Sequence, residues 1–227
     1  MTSVRLRLLI LALTPLIVLM PLLLILGMSR WTADYDKVLI ANVESELKIA
    51  NQYLSRLLAQ TGNELDAVAG SVEFSRWLER SSADQATFFA ETRERLGLDF
   101  LEFLPLEAAV DAGEDWPVIA QAARGTGGAE IDIFSNARLA TLSKALAIRA
   151  QVPVIDTPAA VPTNRKIEDR GMVVHAASPV DLNGRQGVLV GGMLLNRNLD
   201  FIDTINDLVY LNAVTGGDRQ GTATLFL

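Results

Sequence analysis

The stretch MVVHAASPVDLNGRQGVLVGGMLL, residues 172–195, decides how this chain folds. It contains two runs rich in β-branched and apolar residues, Met172–Val180 and Gln186–Leu195. Asn183–Gly184 between two such runs is the strongest short-range signal for a β-hairpin. The pair Gly191–Gly192 in the second run indicates a bulge or the close approach of another group. We therefore expect an antiparallel sheet built on this hairpin.

Segments of both helical and extended character lie on either side of the hairpin. The patterns predict strands over 98–104, 130–134 and 152–156, and helices over 84–96, 116–124, 135–149 and 198–211. Residues 106–115 are acidic and typical of a turn, and 221–227 (GTATLFL) is typical of a further strand, which suggests a truncated unit at this end. This mixture of strands and helices predicts an α+β fold.

The N-terminal part of the chain is dominated by the uncharged run Leu8–Ser29. About 20 apolar residues are enough for a helix to cross the hydrocarbon core of a membrane. A cleaved signal peptide is the alternative, but its apolar region is usually shorter, about 7–15 residues. Arg5 and Arg7 before the run favour a cytoplasmic N-terminus. We therefore expect residues 1–7 in the cytoplasm and 8–29 across a cell inner membrane as a single visible pass.

A long amphipathic stretch follows this run. From Tyr35 to Val72, apolar or small residues recur at steps of three or four, which is the period of a helix. The transmembrane helix is expected to continue into this helix, which packs on the antiparallel sheet. Its apolar stripe is broad enough to contact a second copy as well, so residues 31–72 are a candidate homodimer interface. A stalk that dimerises and binds no ligand is an alternative interpretation.

The composition excludes several classes of function. The net charge is −7, with 27 acidic and 20 basic residues, and the absence of a basic stripe disfavours nucleic acid as a partner. The chain has no cysteine, which excludes disulfides, thiolate metal sites and cysteine nucleophiles. The single histidine, His175, cannot form a His-rich zinc site. We expect no metal, no cofactor and no catalytic residue, because no serine elbow, P-loop, Rossmann or kinase signature is present.

The order of these elements resembles bacterial membrane sensors with an extracytoplasmic Cache domain, which has a PAS-like fold. LDFLEFL at 98–104, RAQVPVIDTPAAVPTNR at 149–165 and the segment 171–209 carry the resemblance. The resemblance implies a periplasmic sensor domain over 30–220 that binds a small molecule. It also implies an output domain outside this chain, such as the histidine kinase of a two-component system, a chemoreceptor or a cyclic-dinucleotide enzyme. The tyrosine–arginine–tryptophan–tyrosine motif of amine-binding Cache domains is not found.

Candidate ligand-binding residues cluster around the polar segment 157–170 and the hairpin. Planar guanidinium groups suit carboxylate or phosphate, so the arginines of this region predict a pocket for a small anionic or polar ligand. Pairing of these arginines with neighbouring carboxylates is the alternative for each one. A membrane-attached hydrolase that uses the histidine with an aspartate is the competing function, but it lacks an evident nucleophile. The candidate residues are Arg149, Arg165, Arg170, His175 and Asn196.

Overall fold

The computed structural model describes residues 4–78, 82–155, 164–182, 184–209, 214–215 and 218–219. The helices in chain order are α1 (Val4–Ala69), α2 (Val72–Leu78), α3 (Ser82–Arg95), α4 (Leu106–Ala112), α5 (Pro117–Ala123), α6 (Asn136–Leu142), α7 (Lys144–Ala150) and α8 (Leu199–Val209). The strands are β1 (Phe100–Pro105), β2 (Gly128–Phe134), β3 (Val152–Pro153), β4 (Ile167–Glu168), β5 (Gly171–Leu182), β6 (Arg185–Leu194), β7 (Val214–Thr215) and β8 (Asp218–Arg219). The fold is α+β, as predicted.

The central element is a four-stranded antiparallel sheet in the order β1–β6–β5–β2. The predicted hairpin is confirmed as β5–β6, whose register runs from Val173 opposite Leu194 to Leu182 opposite Arg185. Gly184 in the turn has a φ of 77°. That left-handed conformation is what a two-residue hairpin turn demands, and glycine adopts it without a steric penalty. The Asn-Gly signal therefore set the register of the two longest strands.

The glycine pair of β6 permits a close approach and does not form a bulge. Pairing with β5 and β1 runs through Gly192 without interruption. A Cβ atom at Gly192 would lie against the carbonyl oxygen of Val174 and 2.9 Å from Cζ of Phe100. Only a residue without a side chain fits between these groups. Of the two predicted roles of the pair, the close approach is therefore the correct one.

One face of the sheet is covered by the short helices α4–α7, and we call it the short-helix face. Alternate residues of the strands point to this face, because successive side chains of a strand point to opposite sides. Phe100 of β1, Val173 of β5 and Val190 of β6 are buried there against Ile119 of α5 and Leu139 of α6. This cluster is one of two apolar layers that enclose the sheet.

The opposite face, the long-helix face, is covered by the last turns of α1 and by α2, α3 and α8. Leu65 of α1 and Phe74 of α2 are fully buried against Ala176 of β5 and Leu189 of β6. Phe201 of α8 and Tyr53 of α1 contact the sheet farther along. The predicted packing of a long helix on an antiparallel sheet is confirmed for the residues from Ala50 onward.

The chain divides into two compact units, residues 1–49 and 50–227, and α1 contributes residues to both. Crossing a membrane needs a helix that is both long and apolar throughout. Across the described residues, no helix satisfies both conditions. The predicted inner-membrane location, with a cytoplasmic N-terminus, a span over 8–29 and a periplasmic domain, had rested on the apolar run alone. That location is contradicted by this finding and is not retained.

The structure differs from two of the local predictions, and a third prediction lies outside the described residues. Residues 106–112 form α4 and not a turn, because Ala109 is buried completely in the short-helix layer. The helix predicted over 135–149 is divided into α6 and α7 at Ser143, whose backbone is extended and whose hydroxyl oxygen accepts a hydrogen bond from the amide of Ala145. Serine favours this N-cap geometry over a helix interior. The strand predicted over 221–227 lies outside the described residues.

The close approach at Gly192 leads to a stability prediction. Gly192→Ala should lower the free energy of unfolding by roughly 1–3 kcal/mol, because the added methyl group overpacks the contact with Val174 and Phe100. Gly128→Ala is the matched control, since a Cβ atom there meets nothing within 4 Å. Urea denaturation followed by circular dichroism measures both. Equal midpoints for the two variants would contradict the close approach.

Candidate functional site

His175 is the buried polar centre of the short-helix face. It lies on β5, opposite Glu130 of β2 and Gly192 of β6. Its side chain is fully buried, with 0% exposure. The rings of Phe100, Trp116 and Phe134 surround the imidazole, with centroid distances of 6.2, 5.6 and 5.0 Å.

The imidazole has one polar partner, a carboxylate of the neighbouring strand. Nδ1 of His175 lies 2.7 Å from Oδ2 of Asp132, whose side chain is 15% exposed. A carboxylate oxygen accepts, so Nδ1 donates and carries a proton. In the neutral ring, Nε2 then has a free lone pair. Nε2 is buried and has no hydrogen-bond partner, and a buried polar atom without a partner costs about 1–3 kcal/mol.

A second carboxylate of β2 positions the aromatic cover. Oε1 of Glu130 accepts a hydrogen bond of 2.8 Å from the amide of Val118 at the start of α5. The first amides of a helix have no partner within the helix, and this side chain satisfies one of them. Trp116 is the N-cap residue of the same helix and is half-buried. Glu130 therefore fixes the start of α5, whose N-cap residue Trp116 packs against His175.

An ion pair lies beside this aromatic group. Nη2 of Arg138, on α6, donates to Oε1 of Glu102, on β1, at 2.5 Å. The guanidinium carbon of Arg138 lies 5.8 Å from the ring centroid of Phe134, within the range of a cation–π contact. The pair is partly exposed, with side-chain exposures of 28% and 30%. It joins the covering helices to the edge strand β1.

The predicted ligand-binding residue Arg149 has its own carboxylate partner. Nη1 of Arg149 donates to Oδ1 of Asp99 at 2.9 Å, and Nη2 donates to Oδ2 of Asp99 and to the carbonyl oxygen of Leu194 at 3.2 Å. Oδ2 of Asp99 also accepts from the amide of Leu194 at 2.7 Å. Through these hydrogen bonds to Leu194, the bidentate pair links α7 to the end of β6.

Arg165 and Arg170 share one partner, Glu168 of β4. Arg165 Nη1 lies 2.6 Å from the Glu168 carboxylate, and Arg170 donates to both of its oxygens, at 2.8 and 3.0 Å. The hydrogen bond from Arg170 is the largest reason that the pKa of Glu168 is lowered from 4.5 to about 2. Of the loop predicted to cover a pocket, residues 164–170 form this cluster with the β3–β4 ladder, and 156–163 lie outside the described residues.

Asn196 connects three segments through its amide group. Its Oδ1 accepts from the amide of Met172 at 2.8 Å, and its Nδ2 donates to the carbonyl oxygens of Ala150 and Arg170, at 2.9 and 3.1 Å. The structure thus joins Asn196 to the backbone of Arg170 and joins Arg165 to Arg170 through Glu168. Arg149 and His175 each have a separate carboxylate partner, so these contacts do not form one common anion pocket.

Residues that the sequence-based prediction missed contribute most to the site. Asp132, Trp116 and Phe134 surround His175 together with Phe100. The signal was present in the strand EIDIF, residues 130–134, where the two acids alternate with apolar residues and share a face with Phe134. A carboxylate on a buried face needs a partner, and the single histidine of the chain was the evident choice for one of them.

Comparisons with models of protein families, with curated proteins and with solved structures find no match to this chain. The geometry of the site therefore carries the functional argument.

The lowered pKa of Glu168 leads to a pH prediction. Because its folded-state pKa lies below 4.5, its ion pairs stabilise the fold fully above pH 4.5, and the stabilisation disappears as the pH falls to about 2. The stability difference between wild type and Glu168→Gln should therefore shrink progressively across this interval. Denaturant midpoints at low salt measure the difference, because salt screens partly exposed pairs. Glu114→Gln, at an exposed carboxylate, is the control. A difference that does not shrink between pH 4.5 and pH 2 would contradict the assignment.

Proposed function

We propose that this chain is the ligand-sensing region of a signal-transduction receptor, with a PAS-like fold of the Cache type. One observation carries the proposal. Strand β5 has the buried His175–Asp132 pair on the short-helix face and a hydrogen bond to α1 on the long-helix face. Such a strand can couple the occupancy of a site on one side to the position of a helix on the other.

The link to α1 is a direct hydrogen bond from a buried side chain of β5 to an exposed carboxylate of α1. Ser178 is fully buried, and its hydroxyl donates to Oδ1 of Asp66 at 2.8 Å. A hydrogen bond to a charged group contributes more than one between neutral groups, about 1.5–3 kcal/mol. One turn earlier, a Cβ atom at Gly62 would be 3.4 Å from the carbonyl carbon of Gly128 on β2. Movement of β5 or β2 is therefore transmitted to residues 62–66 of α1.

Sensing also requires that the ligand bind two arrangements of this helix with different affinity. The output domain belongs to the proposal and lies outside this chain. A two-component histidine kinase is the first candidate, and a chemoreceptor or a cyclic-dinucleotide enzyme is the alternative. The hydrolase hypothesis gains a His–Asp pair from the structure but no nucleophile. The hydroxyl of Ser178 lies on the other face of β5 and donates to Asp66.

A thermal-shift screen of the full chain with small polar solutes tests the proposal, followed by hydrogen exchange with each hit. A hit should slow amide exchange in β5 and in residues 50–69 of α1. In Ser178→Ala the effect on β5 should remain while the effect on 50–69 decreases, because the hydrogen bond to Asp66 is lost.

Ser55→Ala is the matched control, since the exposed hydroxyl of Ser55 donates to Asn51 of the same helix, one turn away. A screen without hits would favour the stalk interpretation. Protection confined to β5 would contradict the coupling.

Homodimerisation through 31–72 also belongs to the proposal. Tyr35, Val43 and Leu47 are apolar side chains of α1 with exposures of 61%, 57% and 67%. Water-exposed apolar side chains at helical spacing favour association with a second helix.

The double variant Val43→Glu/Leu47→Glu should convert a dimer into a monomer, because charges at these positions cannot be buried without partners. Light scattering after gel filtration measures the mass. Glu44→Gln, at an exposed position of the same turn, is the control. A wild-type monomer at micromolar concentration, or a double variant that remains dimeric, would exclude this interface.

A further inference from the structure

The unsatisfied Nε2 atom of His175 indicates a binding position. Native proteins leave few buried polar atoms without a partner, and those that occur are associated with function, with strain or with a bound molecule. Here the other ring nitrogen is fixed by Asp132 at 2.7 Å. The imidazole therefore has a defined orientation and a defined tautomer, with an acceptor directed into its aromatic surroundings.

The group that covers the imidazole does not satisfy it. The indole of Trp116 packs edge-on against His175, with an interplanar angle of 84° and a centroid distance of 5.6 Å. No atom of Trp116 bonds to Nε2, because Nε2 has no partner. Trp116 also contacts Phe134 at 4.5 Å. The indole thus packs against the imidazole without supplying the donor that Nε2 needs.

Trp116 is well placed to move away. It follows the exposed residues Glu114 and Asp115 in the turn between α4 and α5, and Pro117 after it is exposed as well. The ring is only half-buried, whereas His175 below it is fully buried. The hydrogen bond from Val118 to Glu130 holds the start of α5 in place, so the side chain can swing out while the helix remains.

The chemistry of the surroundings defines the ligand class. Once the indole of Trp116 is displaced, the rings of Phe100 and Phe134 remain beside the imidazole as flat apolar walls. A charged ligand would have to be desolvated there, and the carboxylate of Asp132 would repel an anion in particular. A neutral imidazole that donates from Nδ1 accepts at Nε2. The complementary molecule is therefore neutral, planar and equipped with an N–H or O–H donor.

We propose that His175 Nε2 accepts a hydrogen bond from a neutral planar N–H or O–H ligand that displaces the indole of Trp116. Asp132 is the positioning residue that holds the acceptor tautomer. This inference rests on the proposed sensing function and specifies its ligand. It replaces the anionic ligand expected from the arginines, which are paired with Asp99 and Glu168.

The single histidine makes a direct test possible. In the full chain labelled with ¹⁵N-histidine, the two ring nitrogens of His175 are the only side-chain imidazole signals. Without ligand, Nδ1 should be protonated and Nε2 should not. A spectrum with the proton on Nε2 would overturn the proposal without any variant.

The probe is indole, and its control is benzofuran, which has the same shape but lacks the N–H donor. Indole should shift the Nε2 resonance and leave Nδ1 protonated, and it should bind about two- to tenfold more tightly than benzofuran, the ratio that one net hydrogen bond supplies. Equal affinities, or an Nε2 resonance that indole does not move, would contradict the site.

Two variants separate the roles of the side chains. Asp132→Asn should transfer part of the proton population to Nε2 and weaken indole binding, whereas Asp181→Asn, at an exposed aspartate of β5, should change neither. Trp116→Ala should strengthen indole binding, because it removes the competing ring. Weaker indole binding to Trp116→Ala would show that Trp116 does not compete for the site.

The experiments can reject the proposed binding site and the proposed sensing function independently. Indole binding at Nε2 without altered exchange in residues 50–69 would preserve the site and reject the sensing function. A ligand that changes exchange in α1 without moving the Nε2 resonance would preserve sensing and reject this site.

Discussion

The pairing of β5 with β6 is the constraint on which the rest of the structure depends. Both strands are buried on both faces along most of their length. Antiparallel strands more often have one face in solvent. Each face must therefore be covered, one by α4–α7 and the other by α1, α2, α3 and α8. The glycines of β6 allow this pairing to continue where other groups lie too close for a side chain, most clearly at Gly192. Loss of the β5–β6 register would expose both apolar layers at once, because a slip of one residue exchanges the two faces.

Carboxylates from neighbouring segments accept hydrogen bonds from several polar groups around the sheet. Asp132, Asp99 and Glu102 each pair with a cationic or imidazole side chain, and Glu130 and Asp66 accept hydrogen bonds from an amide and a hydroxyl. Such pairs cost less to bury than isolated charges. The Asp132–His175 pair joins two strands, and each of the others links a covering helix to the sheet. Among the described residues, Nε of Arg138, Nε of Arg149 and Nε2 of His175 are buried without a partner, and of these Nε2 of His175 is the one on a strand. It is the acceptor on which the proposed ligand site rests.

The sequence allowed the candidate site to be predicted only in part. His175 was recognisable as a pocket-wall residue because it lies in an apolar strand. Arg149, Arg165 and Arg170 were recognisable as cations near loops, but their charge says nothing about which carboxylate they meet. Asp99 is separated from Arg149 by 50 residues of chain, so only the folded arrangement reveals that pair. The aromatic cover was missed for the same reason, since Trp116 approaches His175 from a turn between two short helices.

By itself the sequence determined the local elements whose signals are contained in a few neighbouring residues. The Asn-Gly turn defined the hairpin, the three-to-four spacing defined the long helix, and the helix-starting Pro117 defined α5. Tertiary structure decided whether 106–112 became a helix and where 135–149 divided, because those outcomes depend on burial against the sheet and on a cap at Ser143. It also decided which carboxylate each cation meets. Backbone preferences act over a few residues, whereas ion pairs and buried contacts depend on distances in space that strand register and layer packing create.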